Sequence, residues 1–242
     1  MKAAALLIAL FAAVAPARHA TARAATALAP FVATYQAYNA GAPAGNATMR
    51  LGHGGAAQWR IDLGIRGDRG FAGIVGLNIE QSTLFDVAGD RYRPLTQSTL
   101  RKVAFWNKKS VGVYDWTARR ARWSGDVKAA RRQPIALQDG DMSGLLINLA
   151  VIRDAAPGKA LQYRFVDGGR VREHHYQVSA QTETVAVGEL RYEALRVSRT
   201  NGGNDETIFW VADGVPTPIR ILQRTDGADA IDLRLIAYQG NK

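Results

Sequence analysis

The chain has 242 residues, 47% of them hydrophobic, with a formal net charge of +10 and no cysteine. That length allows one large or two small domains with a sizeable core, and 8% aromatic with 21% charged residues argues against disorder. The missing thiol excludes disulfides, zinc–thiolate and iron–sulfur sites, a cysteine nucleophile and a lipidated N-terminal cysteine.

Residues 1–24 read as a secretory signal peptide. Lys2 supplies the positive start, Ala3 to Val14 is an unbroken apolar run of 12 residues, and small residues follow at cleavage spacing, ending in Ala22-Arg23-Ala24. The run stops at Pro16 and Arg18, short of the roughly 20 apolar residues that a span needs. The expected destination is the periplasm of a Gram-negative bacterium, with residues 25–242 forming a single soluble domain. Loss of the signal removes Lys2, Arg18 and Arg23 and leaves +7.

From Phe31 onward the apolar period is two, the signature of strands with one face on a core. The stretch Asn39 to Asn46, with two glycines and Pro43, predicts the first hairpin loop. Gly64, Gly67, Gly70, Gly73 and Gly76 then recur every third residue. Without proline this is no collagen repeat, and a strand over Leu77–Val87 follows where a phosphate cradle would need a helix. The segment predicts a flexible loop or bulged strand pair, with Phe71, Ile74, Val75 and Leu77 able to form an apolar flap. Two strands are expected near 103–114 and 118–124.

One segment breaks the strand pattern. Met142, Leu145, Leu146, Leu149 and Ile152 recur at helical spacing, which predicts one helix over about 141–154, capped by Asp139 or Asp141 and ended by Pro157-Gly158. Period two then resumes with Leu161, Tyr163 and Phe165. Asp167-Gly168-Gly169, Asn201-Gly202-Gly203-Asn204 and Asp226-Gly227-Ala228-Asp229 punctuate the remaining strands with residues that tolerate tight hairpins. The count comes to about a dozen strands, antiparallel because the connections are short.

Four features together resemble domain-of-unknown-function family 3108, a group of uncharacterised exported bacterial proteins. They are the opening strand Phe31-Val-Ala-Thr-Tyr35 with its Gly-rich loop; Asp141-Met142-Ser143 leading into the helix; the hairpin Tyr163 to Arg170; and the run from Glu193 to Arg199 through Ile208–Ala212 to Pro218–Ile221. The resemblance implies an exported β protein and carries no catalytic residues. More loosely, many strands with one helix resembles the half-closed barrels of periplasmic lipoprotein carriers.

Catalytic motifs are missing: there is no Gly-x-Ser-x-Gly elbow, His-Glu-x-x-His or phosphate-binding loop. His174 and His175 are adjacent on a predicted strand and point to opposite faces, so they cannot readily share a metal or a nucleophile. Asp139 and Asp141 beside Ser143 suit helix capping better than acid–base work. No metal or cofactor is expected.

Residues 101–132 hold ten cations against Asp115 and Asp126, a net +8, so the rest of the mature chain sums to −1. Three of the five tryptophans lie in the same stretch, Trp106, Trp116 and Trp123, with Phe105 and Tyr114. On the second strand Arg120 and Arg122 share one face, Ala121 and Trp123 the other. Such a patch attracts polyanions; export argues against nucleic acid and favours an anionic lipid, a glycan or an acidic envelope protein. The candidate patch is Arg101, Lys102, Trp106, Lys108, Lys109, Arg119, Arg120, Arg122 and Trp123.

The sequence therefore predicts an all-β fold, an antiparallel curved sheet or partly closed β-barrel with one packed helix. The expected function is non-enzymatic binding of an amphipathic or anionic envelope ligand, apolar tail inside and anionic head at the patch. The alternatives are an envelope interaction module with a filled core and, behind it, a hydrolase using Asp139, Asp141 or a histidine.

Overall fold

The computed structural model describes residues 28–55, 57–67, 78–103 and 106–240. The signal segment, Gly70, Phe71, Gly73, Ile74, Val75, Gly76, Leu77 and Phe105 lie outside the described residues. Fourteen strands form one sheet: β1 (Phe31–Asn39), β2 (Ala42–Gly55), β3 (Gln58–Gly67), β4 (Asn78–Ala88), β5 (Arg91–Val103), β6 (Trp106–Asp115), β7 (Arg120–Gly125), β8 (Ile135–Ala136), β9 (Ala160–Asp167), β10 (Arg170–Val187), β11 (Leu190–Arg199), β12 (Glu206–Ala212), β13 (Arg220–Thr225) and β14 (Ala228–Gly240). The helix α1 (Ile147–Asp154) lies between β8 and β9. The fold is thus the expected antiparallel β-barrel-like sheet, with one short α-helix among the described residues.

The sheet order is β8-β7-β6-β5-β4-β3-β2-β1-β14-β13-β12-β11-β10-β9. Neighbours in the sheet are neighbours in sequence except at one junction, where β1 pairs with β14, Phe31 opposite Gly240 and Tyr38 opposite Asp232. That pairing curls two meanders into one nearly closed barrel whose free edges are β8 and β9. Alternation does the sorting: Phe31, Ala33, Tyr35 and Ala37 are all buried while the residues between them are half-exposed. The fully buried Tyr35 hydroxyl is matched by Thr217 Oγ1 at 2.5 Å and by the Pro218 carbonyl at 3.0 Å.

At the seam the sheet overlaps itself. Met142 forms a parallel bridge to Phe165, with the Met142 N–H donating to the Arg164 carbonyl at 3.0 Å and the Val166 N–H to the Met142 carbonyl at 2.9 Å. Phe165 belongs to the main core, whereas its neighbour Val166 packs with Tyr114, Ala121, Trp123 and Leu137. Successive residues of a strand face opposite ways, so β6 and β7 cover the outer side of β9. Gly112 permits this: a Cβ there would lie 2.6 Å from the Trp123 indole nitrogen.

Three expectations need correction. The helical segment is a 3₁₀ turn over Gly144–Leu146 running into α1, not one α-helix from 141. Neither Asp139 nor Asp141 caps it. Asp139 pairs with Arg119 at 2.5 Å, and Asp141, its side chain 1% exposed, accepts from Arg164 at 2.5 Å and from the Gln138 N–H at 2.8 Å. The Gly144 N–H instead donates to Asp167 Oδ2 at 2.8 Å, so the start of the turn is held by the β9–β10 hairpin. The first hairpin turn is shorter than Asn39–Asn46: only residues 40 and 41 lie outside strands, and the irregularity of this region is a register shift between Ala37 and Tyr38 in the pairing with β2.

A cationic mouth over an apolar cavity

The buried helical segment lies inside the barrel. Leu146, Ala150 and Val151 are fully buried, and Ser143 bonds Thr83 on β4 through their hydroxyls at 2.9 Å. It leaves one end of the barrel unfilled. Here a cavity of about 350 Å³ opens, floored by Leu145, Ile147 and Asn148 and walled by apolar residues such as Ile65, Phe165, Phe209 and Leu233. That volume falls within the 300–1,000 Å³ range of small-molecule sites.

Polar groups line the cavity too, from β4–β5 (Gln81, Thr83, Gln97), β9–β10 (Asp167, His174) and β12–β13 (Thr207, Gln223). Gln97 donates to Asp167 Oδ1 at 2.6 Å and receives the Tyr114 hydroxyl at 2.7 Å, so this trio is internally matched. Asn148 and His174 are not: Asn148 Nδ2 donates to the Leu145 carbonyl at 3.0 Å, leaving its Oδ1 without a partner, and His174 Nε2 has none either. His174 Nδ1 lies 3.2 Å from the Tyr176 hydroxyl and its ring 4.8 Å from Phe165. Burial, with Arg199 and Arg172 nearby, lowers His174 to a pKa of about 4, so the ring is neutral at neutral pH. His175 lies on the other face, exposed, its N–H bonded to Asn201.

Two arginines line the cavity, Arg101 from β5 and Arg172 from β10. Both are exposed, and neither has an ion-pair or hydrogen-bond partner among the described residues. Arg101 sits directly opposite Lys108 in the β5–β6 register. Like charges at such positions are about 5 Å apart at Cβ and repel, an arrangement that a bound anion would relieve.

The predicted patch is divided by strand alternation. Arg101, Trp106 and Lys108 share the face of β5–β6 that carries buried Gln97, with the Lys108 ammonium 4.9 Å from the Trp106 ring and Trp106 itself 49% exposed. Lys102 and Lys109 point the other way: Lys102 pairs with Glu80 at 3.1 Å, and Lys109 lines a groove on the outer side of β2–β5. Arg120 and Arg122 are exposed on the outer face of β7 while Ala121 and Trp123 are buried. Arg119 occupies a turn with φ of 55° and is tied to Asp139. Only Arg101 of the nine reaches the cavity; Arg172, missed in the sequence, joins it from a strand outside the basic stretch.

Among the described residues no group of three or more His, Asp or Glu side chains is gathered as a metal site, and no helix is long and apolar enough to cross a membrane.

The fold and cavity define a barrel-like protein with a partly open interior. The chain belongs to the family described as "Protein of unknown function (DUF3108)", which it matches over residues 33–234. No curated protein matches the sequence significantly. Among solved structures, the chain is similar to a β-barrel-like protein of domain of unknown function DUF1849 from Brucella abortus. The TM-score is 0.55 at 12% identity, covering 89% of this chain and 99% of that one. At that identity the likeness speaks to fold alone.

Proposed function

We propose that this protein is exported to the periplasm, where it binds an amphipathic anion of the envelope without transforming it. The apolar part of the ligand occupies the barrel end and the anionic head lies between Arg101 and Arg172. The observation that carries this reading is the cavity of about 350 Å³, its walls partly apolar, with two arginines unpartnered among the described residues. A filled interior would have favoured the interaction-module alternative. The groups that a hydrolase would need have other work: Asp139 and Asp141 are held in ion pairs, and Ser143 bonds Thr83.

The test is organic extraction of protein purified from the periplasm, followed by mass spectrometry, in the wild type and in Leu145→Trp. Leu145 is 7% exposed on the cavity floor, so the larger ring fills the space, at about 1–3 kcal/mol of stability. An anionic lipid recovered at near-stoichiometric yield from the wild type and lost from the folded variant is the expected result. Wild-type protein that emerges empty, or a variant that carries equal lipid, overturns the reading.

A further inference from the structure

The cations around the cavity are not confined to its wall. The 3₁₀ turn Ala129–Arg131, which follows β7, packs onto the β9–β10 hairpin so closely that a Cβ on Gly169 would lie 2.2 Å from the Arg131 carbonyl oxygen. This brings Arg131 into electrostatic range of Arg170 and Arg172. Across the cavity from Arg172, Arg101 stands opposite Lys108 on β6, with Trp106 on the same face of that strand. Two segments separated by some forty residues of chain thus form one sector of the barrel end, with Trp106 49% exposed among the charges. The acids in this sector are Asp126, engaged by the Lys109 N–H at 2.7 Å, Asp167, engaged inside, and Glu173 on the outer face. On the opposite side of the same end, Glu206 and Asp229 are matched by Arg224.

We infer that this sector, Trp106, Lys108, Arg131 and Arg170, is a docking surface for an anionic phospholipid bilayer. An exposed indole among unpaired cations fits a lipid headgroup layer: the ring settles at the interface while the cations meet phosphates. Docked this way, the barrel presents the Arg101–Arg172 cavity mouth to the bilayer. That consequence rests on the proposed ligand binding; the docking itself does not.

The experiment is co-sedimentation with vesicles of phosphatidylcholine alone or with one quarter phosphatidylglycerol, at low and high salt. The protein is expected to bind the anionic vesicles only, to be released by salt, and to show tryptophan quenching by brominated lipid that disappears in Trp106→Phe. Each basic contact contributes about 1 kcal/mol near an anionic surface. The triple variant Lys108→Glu, Arg131→Glu, Arg170→Glu should therefore bind at least on the order of a hundredfold more weakly. A second triple, Lys109→Glu, Arg120→Glu, Arg122→Glu, makes the same change of charge on the outer face and should retain most binding. Equal loss in both triples, failure to bind anionic vesicles, or preferential capture of single-stranded DNA or an acidic protein overturns the proposal. Leu145→Trp separates the two readings, because it should lose extracted lipid and keep vesicle binding.

Discussion

On the outer face of β12–β14, Asp232 is buried between Arg220 and Arg234, which bond it at 2.8–2.9 Å. Each guanidinium also lies over a ring, Arg220 at 4.7 Å from Trp210 and Arg234 at 4.2 Å from Tyr38. The Trp210 indole N–H donates in turn to Glu183. At the cavity mouth the same residue types are arranged differently. Arg101 faces Lys108, Arg172 has no partner among the described residues, and Asn148 Oδ1 and His174 Nε2 are unmatched. The ladder shows how this fold satisfies arginines that serve its own stability. The mouth leaves these polar groups unmatched among the described residues.

The ladder is therefore the place where a substitution should cost most. Asp232→Ala leaves two guanidiniums facing each other over their rings. Breaking a buried pair costs about 3–5 kcal/mol, and the partial exposure of both arginines puts this case near the lower limit. Urea unfolding should show an unfolding free energy lowered by about 3 kcal/mol, read as a lower midpoint with little change in slope. A loss under about 1 kcal/mol would mean that ring stacking, not the ion pair, holds the outer face together.

Arg101→Gln and Arg172→Gln sharpen the contrast from the other side. Both side chains are exposed and bound to nothing described, so each should shift stability by no more than about 0.5 kcal/mol. Each should weaken binding of a fluorescent anionic fatty-acid probe about tenfold or more, since a charge-assisted contact contributes about 1.5–3 kcal/mol. Titration of the probe with its neutral ester as a control checks this. Equal weakening for acid and ester would place the arginines outside the head-group contact.

Much of the ladder side was legible in the sequence, because its strands alternate and its hairpins carry Asn-Gly and Asp-Gly turns. What was not legible depends on contacts between distant residues. The β1–β14 closure joins Phe31 to Gly240, and no local pattern marks either as a partner. The helical stripe was visible, yet its cap is Asp167, which arrives from a later hairpin. The basic stretch was visible as a run of charge, and a run does not tell one face from the other. Applying period two to Arg101, Lys102, Lys108 and Lys109, as for Arg120–Trp123, would have divided the patch. Arg172 had a weaker signal: it shares a strand face with His174 and Tyr176, just beyond the Asp-Gly-Gly turn.

The smallest expected effect concerns His174. Its folded pKa of about 4 lies below the ordinary value near 6.5. Between those two values the unfolded chain binds the extra proton, so stability from this group is present above about pH 6.5 and is lost as pH falls toward 4. His174→Gln removes that contribution, and the gap between urea midpoints at pH 7.5 and pH 5.0 should narrow relative to the wild type. An anion held beside Arg172 would oppose the repulsion that Arg172 and Arg199 exert on a charged ring, raising the pKa of His174. Protein loaded with the fatty-acid probe should then show a smaller midpoint gap than empty protein, and the difference should vanish in His174→Gln. If loading leaves the wild-type gap unchanged, the head group lies too far from His174 to be held by Arg172.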